Sequence, residues 1–311
     1  MIVTLTPNPS LDRTIEIPEL HRGEVHRATG GRVDPGGKGV NVSRALAACD
    51  RATIAVLPSG GAEGAQLAAL LAPFGVQTVQ VPISGTVRSN ITVAEPDGTT
   101  TKLNEVGPEL SPEEAAAVER TVVELAPRAS WVVGSGSLPR GLGVDFYARL
   151  TTALRGTDTL VCIDASGPPL AAAIDAGPDL IKPNAEELAE LVGRPLKRLA
   201  DVVDACAEVR KRGVATVLVS LGGDGALLVN ADEVLHGWAP PVRVRSTVGA
   251  GDSTLAGYLA GGGRGRSALV TAIAYGTAAV QLPGSVMPRP TDLDPDAVEI
   301  TDSPDLDRTL S

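Results

Sequence analysis

Aromatic side chains are almost missing from this chain: two Phe, three Tyr and two Trp, or 2% of 311 residues. Hydrophobic residues still reach 43%, so a large core is possible, but it must be built from Ala, Val, Leu and Ile. Basic residues are also short, with 27 Lys and Arg against 37 Asp and Glu, a net charge of −10. Such a balance lacks the basic face that nucleic acid or an anionic membrane requires, and neither is expected as a partner. It leaves phosphate ligands open, because a few local donors can hold an anion. The three cysteines, Cys49, Cys162 and Cys206, are far apart in apolar surroundings. They read as buried reduced thiols of a cytosolic protein and not as a disulfide framework. The three histidines, His21, His26 and His236, have no metal-ligand spacing. "MIVTLT" reads directly as a strand with no charged leader before an apolar run. No apolar stretch is both long and glycine-poor enough for a bilayer. A cytoplasmic, soluble protein is expected.

No repeat and no Pro/Ser-rich linker divides the chain, so residues 1–311 are expected to form a single domain. From about residue 36, short β-branched runs alternate with longer Ala/Leu-rich runs. "ATIAVLP", "AEGAQLAALLAPFG" and "VQTVQVP" are one such series; "ASWVVGSG", "VDFYARLTTALRG" and "TLVCID" are another. This alternation predicts an α/β fold: a mainly parallel central sheet with helices on both faces. Two segments break the pattern. Thr14–Ala28 has strand-like pieces with no helix between them. Thr86–Gly107 reads as a hairpin turning at Pro96-Asp97-Gly98. Charged and amide residues interrupt both, which predicts a small β lid formed by about 12–30 and 86–106.

Four glycine-containing strings carry polar residues that a core does not need. In "DPGGKGVN", Gly36, Gly37 and Gly39 surround Lys38 at a helix start. This is no phosphate-binding P-loop, since Arg32 and Gly39 stand where Gly and Ser/Thr are required. Bare backbone there permits close approach of a polar ligand, with Lys38 and Asn41 as donors. Asp12, just beyond the first strand, lies where open α/β sheets bind ligands. In "KPNAEELAELVG", Asn184 and Glu187 share one helix face; acids there also suit the helix dipole. "VSLGGDGALLV" is a strand, a turn at Gly222, Gly223 and Gly225, and a second strand. In "STVGAGDS", Gly249, Ala250 and Gly251 precede Asp252 at the start of an apolar helix. Small residues leave the free N–H groups of a helix start open to an anion. Asp252 reads either as a cap or as a base beside that anion site.

Taken together and in this order, these strings resemble the ribokinase/PfkB family of sugar kinases, over nearly the whole chain. "TPNPSLDRT", "TVRSN", "SGSLPRG" and "STVGAGDS" are similar to its phosphosugar branch, and most of all to the kinases of fructose 1-phosphate. The resemblance implies a ribokinase-like three-layer α/β/α fold with a small β lid, and phosphoryl transfer from ATP with Mg2+. It implies that Asp252 is the catalytic base and that Gly249, Ala250 and Gly251 form an anion hole. Asp12, Gly37, Lys38 and Asn41 would hold the sugar, and Arg88 its phosphate, with Ser137 and Arg140 adding to that site. Lys182, Asn184, Ser220, Gly222, Gly225 and Gly251 would line the nucleotide site. Asn184 and Glu187 would organise magnesium through water. A homodimer through the lid is expected.

One departure stands out. The ribokinase branch has an acid where this chain has Ser246, and Val248 also differs, which weakens the case for potassium activation and favours the phosphosugar branch. Kinases of tagatose 6-phosphate or fructose 6-phosphate are the neighbouring readings. A kinase of an unphosphorylated sugar or nucleoside is opposed by Arg88 and Arg140. A binding module without catalysis is opposed by Asp252, Asn184 and Glu187 together. A dinucleotide-dependent dehydrogenase is excluded, because the Gly-x-Gly-x-x-Gly turn is missing.

Overall fold

The computed structural model describes residues 1–310. The chain starts with β1 (Ile2–Leu5), β2 (Ser10–Glu16) and β3 (Gly30–Gly36), then α1 (Lys38–Ala48), β4 (Thr53–Ser59), α2 (Gly61–Leu71) and β5 (Gln77–Pro82). β6 (Arg88–Ala94) and β7 (Thr100–Asn104) follow, then α3 (Pro112–Leu125), β8 (Trp131–Ser135), α4 (Phe146–Ala153), β9 (Leu160–Asp164), α5 (Gly167–Ile174) and β10 (Leu180–Ile181). The remainder is α6 (Ala185–Val192), α7 (Leu199–Lys211), β11 (Thr216–Ser220), β12 (Ala226–Val229), β13 (Val234–Trp238), α8 (Ala250–Ala260), α9 (Gly265–Val280) and β14 (Glu299–Thr301).

Ten strands form one sheet in the order β14-β13-β12-β11-β10-β9-β8-β1-β4-β5. From β11 to β5 every neighbouring pair is parallel, while β12, β13 and β14 extend the edge antiparallel. Alternating side chains feed opposite faces, as a pleated strand requires. Ile54 and Val56 join the cluster containing Val118, Leu150 and Leu170 from α3, α4 and α5. Ala55 and Leu57 instead meet Val40 and Leu67 from α1 and α2. Trp131, Val133, Cys162 and Leu218 pack on Leu46, Leu255 and Leu269 from α1, α8 and α9. Helices therefore cover both faces of a mainly parallel sheet. The core is mainly aliphatic, as the scarcity of aromatics required, with Trp131, Phe146, Tyr147, Tyr258 and Tyr275 buried in it. Cys162 and Cys206 are buried, and their thiols are pushed up by that burial, while Cys49 is half-buried. Among the described residues, no helix is long and apolar enough to cross a membrane.

A second sheet stands apart, ordered β3-β2-β6-β7. β2 pairs antiparallel with β3 and parallel with β6, and β6 forms the hairpin with β7. The turn closes as expected, with Gly98 N–H donating to Glu95 O at 3.0 Å. The strand-like pieces within 14–28 are only partly realised. β2 ends at Glu16, residues 17–29 form a connecting loop, and the second strand is Gly30–Gly36.

Candidate active site

The parallel strands end on one side of the main sheet, and their last residues bring the polar groups together. β1 runs out at Leu5 into Thr6 and Asn8, β9 ends in Asp164, β10 is followed by Lys182 and Asn184, and β11 ends in Ser220. α1 and α8 both start on this side. Ligands in open α/β sheets sit at this edge, because strand ends and helix starts expose unpaired backbone there.

Asp252 occupies the first turn of α8. The rest of that helix from Ser253 to Leu259 is buried on all sides, as its unbroken run of small and apolar residues requires. Gly249 sits at the N-cap with φ +76° and accepts from Ser253 N–H at 2.8 Å; a residue with a Cβ is strained there. Asp252 does not cap its own helix. Its Oδ2 accepts a 2.9 Å hydrogen bond from Nδ2 of Asn41, on α1. Asn41 is itself oriented, since its Oδ1 accepts from Arg44 Nη1 at 3.3 Å. Ala250 N–H is directed at Thr247 O, 3.3 Å away, and among the described residues nothing accepts from the N–H of Gly251 or Asp252. The open donors at this helix start are therefore those of Gly251 and Asp252.

A charged network lies beside them. Asp164 is fully buried, and Lys38 Nζ lies 2.9 Å from its Oδ1. Lys182, also buried, places Nζ 3.6 Å from Asp164 Oδ2. The same ammonium faces the backbone of Gly251, where an added Cβ would stand 3.4 Å from it. Lys38 also reaches Glu187 Oε1 at 3.4 Å. Burial pulls Lys38 down, but the attraction of Asp164 and Glu187 outweighs it and leaves the ammonium raised. Asp252 behaves oppositely: burial first, then the Asp164 charge, push its carboxyl up from 3.8 to about 6, against the Asn41 hydrogen bond and the two lysines. Asn184 and Glu187 form a reciprocal capping box on α6, with Glu187 N–H donating to Asn184 Oδ1 at 2.7 Å and Asn184 N–H to Glu187 Oε2 at 2.9 Å. Among the described residues no three acids or imidazoles converge on one point. Asp164 Oδ2 is buried without a hydrogen-bond donor. Two carboxylates, one of them with an oxygen that accepts no hydrogen bond, suit Mg2+, which keeps most of its water and takes one or two protein acids plus substrate phosphate.

A second polar group lies on the small sheet. Asp12 Oδ1 accepts from Ser10 Oγ at 2.8 Å and from Asn90 Nδ2 at 2.9 Å. Its carboxylate lies against Gly36, where any Cβ would overlap it, so the glycine before α1 makes room for the acid. Gly37, the N-cap of α1, has φ +117°. Arg88, opposite Ser10 on β6, donates through Nε to Asn8 O at 3.3 Å and through Nη1 to Glu105 O at 3.1 Å. Burial lowers its pKa, partly countered by Asp12 and Glu105. Ser137 joins through Asn8, whose Nδ2 donates to Ser137 Oγ at 3.4 Å. Arg140, three residues beyond Ser137, is exposed, and its Nη1 lies 3.8 Å from Glu109 Oε2.

The third group is the turn after β11. Ser220 N–H donates to Pro183 O at 3.1 Å, tying that strand end to the one carrying Asn184. Gly222 has φ +60°, and an added Cβ there would meet nothing within 4 Å. Gly225, at φ +88°, is pressed against Gly237 O, so glycine there also serves the packing of β13.

The sequence pattern did not single out Asp164, Asn8, Asn90 or Arg44. Asp164 had one signal, as the acid closing the strand "TLVCID". Lys38, expected at the sugar, turns its ammonium to Asp164 and Glu187.

A family model for pfkB family carbohydrate kinases matches residues 7–291. A 1-phosphofructokinase of Rhodobacter capsulatus is 38% identical over 83% of this chain and 82% of its own. The ATP-dependent 6-phosphofructokinase isozyme 2 of Escherichia coli is 38% identical over 81% of this chain and 82% of its own. The crystal structure of phosphofructokinase-2 from Escherichia coli in complex with potassium superposes with a TM-score of 0.87 and 32% identity, covering 94% of this chain and 96% of the other. A phosphofructokinase this similar holds potassium, so membership of the phosphosugar branch does not by itself exclude that cation.

Proposed function

This chain belongs to the pfkB family of carbohydrate kinases, and from that premise we propose that it transfers the γ-phosphoryl group of ATP to fructose 1-phosphate, giving fructose 1,6-bisphosphate. The observation that carries the reading is Asp252: a buried carboxylate, held by Asn41, at a helix start with open N–H donors and Lys182 beside it. Such transfer needs positioning and charge stabilisation more than covalent chemistry.

In the proposed step, Asp252 accepts the proton of the sugar hydroxyl as that oxygen forms its bond to the γ-phosphorus. The bond from phosphorus to the bridging oxygen breaks, and its electron pair leaves with ADP. A carboxyl raised to about 6 is ionised at neutral pH yet basic enough to take the proton. Gly251 and Asp252 N–H, with the Gly249-Ala250-Gly251 backbone around them, face the charge on the transferring group. Lys182 adds a fixed cation, and Asn41 aims the carboxylate. Asp12, with Asn90 and Ser10 orienting it, accepts from sugar hydroxyls. Arg88 presents a guanidinium to the phosphate that the sugar already carries. Ser220 and Gly222 offer backbone to the nucleotide. Asp164, Glu187 and Asn184 would hold hydrated Mg2+, which supplies charge neutralisation to the ATP phosphates when bound. The small sheet acts as the lid, and exposed Leu103 on β7, with exposed Val106 just beyond that strand, suits pairing between two copies.

The relative acting on fructose 6-phosphate makes that sugar the second reading. A panel of fructose 1-phosphate, fructose 6-phosphate, tagatose 6-phosphate and fructose with MgATP decides it. The highest kcat/KM is expected for fructose 1-phosphate; a higher value for either 6-phosphate replaces the assignment. A higher value for fructose removes the phosphosugar reading and the role of Arg88 with it.

A further inference from the structure

The family match ends at residue 291, yet the chain beyond it is tied into the molecule. β14 pairs with β13, Thr301 opposite His236. The chain then lies along the start of α7. Leu199 N–H donates to Arg308 O at 3.0 Å, Ala200 N–H to Leu306 O at 3.0 Å, and Leu310 N–H to Lys197 O at 2.9 Å. These bonds hold the Arg308 backbone on both sides. Its guanidinium reaches Asp224, with Nη2 2.8 Å and Nε 3.2 Å from the same oxygen, Oδ1.

Asp224 ends the single 3-10 turn Gly222–Asp224 that follows β11. Its side chain is 9% exposed, and its carbonyl oxygen lies 2.9 Å from His236 Nε2, which must therefore carry the proton. The turn is anchored from below through side chain and backbone alike. Its outer side is bare: Gly222 and Gly223 are exposed, and a Cβ on either would meet nothing within 4 Å. The turn is closed by its own backbone bonds, Leu221 N–H to Gly225 O at 2.8 Å, Asp224 N–H to Leu221 O at 3.1 Å and Gly225 N–H to Gly222 O at 3.2 Å, but its glycines keep wide backbone freedom. The anchors below it add to these bonds in fixing its shape.

We infer that Arg308 is a positioning residue for the nucleotide: through Asp224 it holds the Gly222–Asp224 turn in the shape that receives a nucleoside triphosphate. This rests on the nucleotide role proposed above for that turn. Without the guanidinium, a buried carboxylate loses a cation that offsets its desolvation. That weakens one of the anchors beneath Gly222 and Gly223, and the turn they form loosens. The phosphosugar side, built on β2, β6 and α1, shares no element with this arrangement.

The test is steady-state kinetics with ATP and the best phosphosugar varied separately. Arg308→Met is expected to raise KM for ATP roughly threefold to thirtyfold, with kcat and KM for the sugar unchanged. Asp224→Asn should do the same, and adding Arg308→Met to it should do nothing more, since coupled residues are non-additive. An unchanged KM for ATP in Arg308→Met, or KM values for both substrates rising together, overturns the inference. Gly223→Phe separates it from the underlying reading, because that position has room for a side chain. If Gly223→Phe leaves KM for ATP unchanged, the turn does not face the nucleotide at all. If it raises that KM while Arg308→Met does not, only the role of Arg308 fails.

Discussion

Asp252 and Asp164 are two acids in one buried network, and their chemistry differs because their partners do. Asp164 lies within reach of Lys38 and Lys182. Asp252 has an amide as its hydrogen-bond partner and feels Asp164 as a like charge. The pH dependence follows. As the proposed base, Asp252 must be ionised, so kcat/KM should fall tenfold per pH unit below about 6, as a single protonation demands. Asp164→Asn removes the like charge and should move that acid limb to lower pH; a limb that stays in place separates the two groups. The same shift acts on stability with the opposite benefit. The folded pKa of Asp252 is above its unfolded value, so the stability that its neutral form allows is present at low pH and lost as pH rises through about 6. Asp252→Asn should accordingly raise the melting temperature at pH 8 while turnover is lost. Asp252 and Asn41 were legible as sequence because each stands in a short string whose glycines have no place in a core, and Asp12 because it lies just beyond the first strand, where open α/β sheets bind ligands. Asp164 was not, because its role comes from Lys38, 126 residues away, and an acid at a strand end is otherwise unremarkable.

At the scale of elements, two helices start with the same device. α3 has the Ser111–Glu114 capping box and α6 has Asn184–Glu187. Removing either cap, by Ser111→Ala or Asn184→Ala, should cost about 1 kcal/mol of stability in denaturant unfolding. Only Asn184→Ala should also reduce activity, because Glu187 of that box reaches Lys38. Equal activity loss in both variants would reduce the α6 box to a cap and nothing more. Gly36→Ala tests the small sheet, since the added methyl meets the Asp12 carboxylate; KM for the sugar should rise with KM for ATP unchanged. The parallel strands of the main sheet were legible from β-branched runs, whereas the short antiparallel edge strands β13 and β14 were not. β3 was not, because "GGRVDPG" carries three glycines and a proline, which locally spell a loop. Its strand geometry comes from antiparallel pairing with β2, a tertiary effect that overrides local propensity.

At the scale of the whole molecule, the ten-stranded sheet supplies the fixed half of the site and the four-stranded sheet supplies Asp12, Asn90 and Arg88. Substrate affinity should divide along the same line. Arg88→Ala should raise KM for the phosphosugar at least tenfold, in keeping with the 2–5 kcal/mol typical of losing a charge partner, and leave KM for ATP nearly unchanged. Equal effects on both would remove Arg88 from the phosphate. Leu103→Glu should shift the sedimentation of a lid-paired dimer toward the 31.7 kDa chain; unaltered sedimentation would put any pairing elsewhere. The central claim remains that Asp252 takes the proton of the acceptor hydroxyl. Its most direct test is kcat of Asp252→Asn against wild type, with MgATP and the preferred phosphosugar at saturation. A fall of about 10²- to 10⁴-fold, with nucleotide binding and fold intact, is the predicted result; turnover near the wild-type value would contradict it.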